Sequence, residues 1–126
     1  MPVTYSIDHA RRLVTNLATG ILSDDDMREA QAKMRGDPEW NACYSQLFDL
    51  TAVSDVRIST DYLRAMAANT AFAPGARRAL VVNKPVLFGL SRMYQVFLGD
   101  AGNDFGVFYN RQEAEDWLEG GGRGAS

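Results

Sequence analysis

The chain opens on alternation. Val3, Tyr5 and Ile7 stand between polar neighbours, the period-two pattern of a half-buried strand. Asp8-His9-Ala10 reads as a tight connection. Residues 11–18 carry a second extended stretch with Leu13, Val14 and Leu17. So short a connection implies an antiparallel hairpin. Gly20 breaks the pattern. Ser23 is a good N-cap, and Asp24, Asp25 and Asp26 follow where the helix dipole favours negative charge. That helix runs to about Arg35, with Gly36 as its stop and Pro38 beyond. Its stripe of Met27, Ala30 and Met34 is thin, which predicts a mostly wet helix lying lightly on the sheet.

Gln46-Leu47-Phe48-Asp49-Leu50 reads as a short buried strand. Ser59 caps a helix over 59–71, with Leu63, Met66, Ala67 and Thr70 on one face. Pro74-Gly75 marks a turn. Ala79-Leu80-Val81-Val82 is a continuous apolar run of the kind found in central parallel strands. Pro85 sits where a helix over 85–98 would begin. Gly99 to Asn103 is a loop, and Asp104 to Tyr109 a last strand. Asn110 to Glu113 reads as a capping box for a closing helix that packs Ala114, Trp117 and Leu118.

The order β-β-α-β-α-β-α-β-α predicts an α/β fold: a mostly parallel central sheet, an antiparallel N-terminal hairpin at its edge, and helices packed on it. One domain is expected over 1–119. The segment 120–126, Gly-Gly-Gly-Arg-Gly-Ala-Ser, has nothing to bury and reads as a flexible tail.

Composition narrows the function. The chain has 126 residues, one domain's worth, and its net charge of -3 argues against a nucleic-acid binder. A lone Cys43 permits no internal disulfide and fits a reducing cytoplasm. It reads as a small buried hydrophobe. One Cys and one His, His9, cannot make a structural zinc site, and no metal or other cofactor is expected. His9 reads as a surface turn residue. No apolar run reaches the roughly 20 residues of a membrane span. The expected protein is cytoplasmic, with no integral membrane segment.

The segment Asp49-Leu50-Thr51-Ala52-Val53 closes the middle strand of this order. Gly20-Ile21-Leu22-Ser23 leads into an acidic helix start, and Asp37-Pro38-Glu39-Trp40 precedes the middle strand. Further on stand Arg78-Ala79-Leu80-Val81-Val82, Val107-Phe108 and Glu113-Ala114-Glu115-Asp116-Trp117-Leu118. Together, over residues 3–119, these pieces resemble the SpoIIAA-like branch of the STAS domains, the anti-sigma-factor-antagonist and sulfate-transporter cytoplasmic modules. The resemblance implies a bacterial-type regulatory or protein-interaction module without enzymatic activity. In that family a serine opening the helix after the middle strand is phosphorylated by a partner kinase, in an Asp-Ser pair followed closely by Gly-Leu. Ser59 stands at this helix start, but Ile58 precedes it and Tyr62 replaces the Gly.

Each candidate has a plain reading beside the functional one. Ser59 serves as an N-cap whether or not it is a phospho-switch. Asp49, Thr51, Ser54 and Asp55 occupy a strand end and the following loop, a rim where α/β sheets bind ligands, although Asp49 equally suits a turn acceptor. The helix over 85–98 has more apolar residues than one core stripe requires. Leu87, Leu90, Tyr94 and Phe97 make its inner face. Phe88, Met93, Tyr94, Val96 and Phe97 are candidates for a homodimer or protein-partner interface, or for an apolar pocket. The alternative function is a carrier or sensor of a small apolar ligand or lipid, held between helices 59–71 and 85–98 and the sheet. Catalysis ranks last, because no convergent acid–base or nucleophilic pair is visible.

Overall fold

The computed structural model describes residues 2–120. One five-stranded sheet has the order β1-β2-β3-β4-β5. Its strands are β1 (Val3–Asp8), β2 (Leu13–Ser23), β3 (Ser45–Arg57), β4 (Arg78–Val81) and β5 (Phe105–Phe108). The helices are α1 (Asp24–Gly36), α2 (Thr60–Ala68), α3 (Pro85–Leu98) and α4 (Arg111–Leu118). A short 3₁₀ turn, Gly99–Asp104, joins α3 to β5. β1 and β2 are antiparallel, and every later neighbour pair is parallel. The expected order and sheet therefore stand. Of the segment 120–126, residues 121–126 lie outside the described residues.

Strand order dictates where the helices go. β2, β3, β4 and β5 follow one another across the sheet in a single direction. Right-handed crossovers taken in a constant direction deliver every connecting helix to the same face. α1, α2 and α3 are those connections. On their face Ala18, Leu22, Phe48, Leu50 and Leu87 form one cluster, and Leu63, Tyr94 and Phe105 another. α4 follows the last strand and returns to the opposite face, where Ala114 packs on Leu47, Ala79 and Val81. Its main contacts are with β3, β4 and β5. Leu17 and Ile21 on β2 are consequently left 41% and 50% exposed.

Two strands are longer than expected. β2 continues through Gly20 to Ser23 and β3 continues to Arg57, because the two keep pairing after β3 has left β4 at Asp49. The register slips twice, between Leu17 and Thr19 and again between Gly20 and Ile21. Gly20, with φ of +68°, takes up the second irregularity, so the glycine read as a break lies inside the strand. The same pairing corrects the rim. Asp49, Thr51, Ser54 and Asp55 belong to β3, not to a strand end and loop.

Helix starts match their sequence signals closely, whereas α2 stops at Ala68, short of the expected 71, with Asn69 as its C-cap and Thr70 outside the helix. Ser23 and Asp26 form a full capping box, and Ser59 caps α2 by accepting from the Tyr62 N–H. α3 begins with Pro85 in the first turn. Asn110 accepts from the Glu113 N–H at the start of α4. Cys43 is exposed rather than buried, since it sits in a turn where its N–H bonds the Asn41 side chain. His9 lies at the surface, as expected, with Nδ1 2.8 Å from the Tyr44 hydroxyl. No helix among the described residues is long and apolar enough to cross a membrane.

One long-range bond ties the first strand to the end of α1. The Tyr5 hydroxyl donates to Asp37 Oδ2 at 2.6 Å. This bond holds the Asp37 carboxyl below its ordinary 3.8 and raises the Tyr5 phenol above its ordinary 10.0. A depressed carboxyl pKa stabilises the fold above the unfolded value and loses that contribution as pH falls through the folded one. A raised phenol pKa contributes fully below 10.0 and loses its share as pH rises through the folded value. Tyr5→Phe should therefore be less stable than wild type by a constant margin from about pH 5 to about pH 9. The gap should narrow on both sides of that window. Urea midpoints of the two proteins across pH test this; a margin that widens in acid would contradict it.

Candidate functional site

The three helices do not cover their face evenly. α1 packs on β1 and β2, and α3 packs on β5. α2 makes its main contact with α3 rather than with a strand. Beneath α2, between α1 and α3, lies a cavity of about 100 Å³. Its walls are Met27, Ala30, Gln31 and Met34 of α1, Leu63 and Met66 of α2, and Leu87, Leu90, Ser91 and Tyr94 of α3. Phe48, Leu50 and Leu80 supply most of the apolar floor. A void of this size is several times what one water requires.

One end of the floor is polar. Asn16, Gln46 and Arg78 occupy inward-facing positions on β2, β3 and β4, where an apolar side chain would be ordinary. Gln46 pairs in register with Val14 on one side and Arg78 on the other, and Arg78 pairs with Phe105. Their side chains form a continuous row. Gln46 Nε2 donates to Asn16 Oδ1 at 2.8 Å, and Arg78 Nε donates to Gln46 Oε1 at 3.1 Å. Arg78 Nη1 donates to the Tyr94 hydroxyl at 2.9 Å and to Thr70 Oγ1 at 3.3 Å. The guanidinium also stands 4.8 Å from the Phe72 ring centroid, 5.3 Å from that of Tyr94 and 5.6 Å from that of Phe105. Aromatic faces stabilise a cation in such positions. Asn16 and Gln46 are buried and bonded to each other, as buried amides must be.

The roof is a seam between α1 and α2, joined chiefly by polar links. Asp24 accepts from the Ser59 N–H at 2.9 Å and from Ser59 Oγ at 2.8 Å. Arg28 lies over the Tyr62 ring, 5.0 Å from its centroid. Gln31 Nε2 donates to Met66 Sδ at 3.1 Å, and Arg35 Nη2 donates to the Asn69 carbonyl at 2.6 Å. These positions recur every three or four residues on each helix, so one face of α1 runs parallel to one face of α2. Burial along the seam raises the Tyr62 phenol pKa; Arg28 acts against the shift and Asp24 with it.

The expected site residues are distributed around this cavity rather than gathered in it. Ser59 is on the seam, where its hydroxyl bonds the Asp24 carboxylate. A phosphate on Ser59 would meet that negative charge. Tyr94 lines the cavity and is buried. Phe88 packs into the main core and stacks on Tyr109 with centroids 5.3 Å apart. Phe97 packs beside Leu63 and Tyr94. Met93 and Val96 are exposed on the outside of α3. Asp49 is on the α4 face, accepting from Thr51 N–H and Oγ1 at 2.9 and 2.6 Å and from Arg111 at 3.3 Å. Ser54 and Asp55 are exposed, with Asp55 beside Arg57. Among the described residues no three His, Cys, Asp or Glu side chains gather to hold a metal.

Sequence reasoning placed a pocket between the second and third helices and the sheet. It missed α1 as a wall and Asn16, Gln46 and Arg78 as the polar floor. The available signal was parity: Asn16 shares alternation with Val14 and Ala18, Gln46 with Phe48 and Leu50, and Arg78 with Leu80.

The chain matches no protein-family model and no curated protein. Among solved structures it is similar to an uncharacterised protein of the DUF3478 family from Shewanella loihica PV-4, described as having a SpoIIAA-like fold. The two are 18% identical, with a TM-score of 0.58, over 92% of this chain and 93% of that one. The likeness shows a SpoIIAA-like fold for the present chain.

Removing the central amide tests the polar row. Gln46→Ala leaves the Asn16 oxygen and the Arg78 Nε–H without their protein partners, which should cost about 1–3 kcal/mol. The urea midpoint should fall with the slope of the transition unchanged. A midpoint equal to that of wild type would mean that the row does not depend on Gln46.

Proposed function

We propose that this protein is a non-catalytic regulatory domain that binds a small, largely apolar molecule in the cavity beneath α2. The observation that carries the reading is the combination of an apolar chamber with one polar end and a roof joined mainly by polar contacts. Binding sites of this kind bury most of a ligand against hydrocarbon and orient it with a few placed polar groups. The lining is apolar side chains, amides, hydroxyls and one guanidinium, a set suited to holding a molecule rather than to moving protons. Parting of α1 and α2 would widen access to the cavity. The seam consists chiefly of partly or fully exposed polar links, which cost little to exchange for water. Such a domain would report occupancy through the position of its roof.

A small neutral probe, toluene, should bind with 1:1 stoichiometry in isothermal titration. Ala30→Phe, which puts a ring into the chamber from α1, should reduce probe affinity at least tenfold while the circular dichroism stays that of wild type. Equal probe binding by a folded Ala30→Phe protein would place the probe elsewhere and defeat the reading.

A second reading, contact with another copy through the outer face of α3, has one observation in its favour. Val86 and Val96 are 55% and 74% exposed, with Met93 between them on the same side of the helix. Sedimentation equilibrium should then give a dimer for wild type and a monomer for Val96→Glu. A wild-type monomer at high micromolar concentration removes this reading.

A further inference from the structure

One end of the cavity carries the Asn16–Gln46–Arg78 row and differs chemically from the rest of the lining. We infer that the chamber takes a monocarboxylate with a short or medium apolar tail, its carboxylate bound by Arg78 and its tail directed along β3 and β4. This rests on the ligand-binding reading given above and adds the class of ligand.

Arg78 is equipped for one more acidic partner. A guanidinium carries five N–H donors in a planar fork. Nε serves Gln46, and Nη1 serves Tyr94 and Thr70. Among the described residues no hydrogen bond uses Nη2. None of the ion pairs of the described residues involves Arg78 either. Asp100 and Asp104 line a neighbouring cleft with Arg78, yet neither forms an ion pair with it. Its present partners are neutral: an amide oxygen, two hydroxyls and three aromatic rings. They hold the fork in place without neutralising it. A half-buried cation so arranged attracts an anion strongly, because the surrounding hydrocarbon screens the charge poorly.

The rest of the chamber sets the tail. From Gln46 the inward positions of β3 run to Phe48 and Leu50, and from Arg78 those of β4 run to Leu80. Four residues of strand span about 13 Å, and the path is apolar beyond its first step. Polarity is therefore graded along the strands, with the cation at their amino ends. A phosphate or sulfate without a tail would leave the hydrocarbon part unfilled, and a neutral alkane would leave Arg78 unanswered. A monocarboxylate with an apolar tail answers both. The modest volume, about 100 Å³, favours a short or medium chain over a diacyl lipid.

Isothermal titration of wild type with sodium octanoate, 1-octanol and sodium acetate separates the contributions. Octanoate should bind at least tenfold tighter than 1-octanol, and acetate at least a hundredfold weaker than octanoate. Arg78→Gln should abolish the preference for octanoate over 1-octanol, lowering octanoate affinity at least tenfold. Because that variant also loosens Tyr94 and Gln46, the head-group comparison on wild type stands independently of it. The Arg78 Nε–Hε resonance should shift with octanoate and stay in place with octanol. Equal affinities of octanoate and octanol on wild type, or an unmoved Arg78 resonance, overturn the carboxylate assignment and leave the cavity reading standing. Failure of both ligands to bind natively folded protein overturns the cavity reading and this assignment with it.

Discussion

Handedness of the crossovers governs this molecule. Because four parallel strands are laid down in chain order, each right-handed connection falls on the same side. Three helices then share one face while a single helix, α4, serves the other. With α1 seated over β1 and β2 and α3 seated toward β5, α2 is carried by α3 above the middle of the sheet. The chamber is the space this leaves. No residue creates it alone; the topology does, and the side chains decide what it can hold.

Those side chains combine two requirements that pull in opposite directions. A core over the middle of a sheet is most stable when filled with branched hydrocarbon. Here Asn16 and Gln46 are buried in that position, and Arg78 reaches in beside them. Each is tolerable only because the row is hydrogen-bonded from end to end, and breaking any link exposes the next polar group to an apolar surrounding. Rigidity follows from that dependence. Tyr94, held by Arg78 from the sheet and by Phe105 across an edge-on ring contact of 5.2 Å, connects the row to α3. The floor is thus fixed by neutral partners, whereas the roof is fixed by links at the water boundary.

The sequence makes some of this visible and hides the rest for reasons that are physical. α3 was legible to the residue, since Pro85 and a dense apolar run leave one interpretation. Ser23 and Ser59 as caps, and the antiparallel edge, were equally clear. The sequence pattern understates the length of β2 and β3 because their outer halves pair only with each other: Gly20 takes a left-handed conformation inside a bulge, and exposed Ser54 and Asp55 look like loop residues. The placement of a pocket beside Tyr94 was within reach of pattern reading. Its polar floor was not, because Asn16, Gln46 and Arg78 are far apart in sequence and become neighbours only when strand register is known. An inward polar residue on one strand resembles an outward one shifted by a single position.

The neighbour-by-neighbour strand order also has a kinetic side. Every strand pairs with the one just before it in the chain, so no pairing waits for a distant segment. The loops to be closed span only one crossover each, and closure entropy rises slowly with loop length. Folding barriers in such topologies are low compared with those of sheets whose central strands come from opposite ends of the sequence. A nascent chain emerging from the ribosome can add one strand and one helix at a time, with the antiparallel hairpin already in place as a template. Among the described residues α4 emerges after all five strands, and it then seals the face that synthesis leaves open longest.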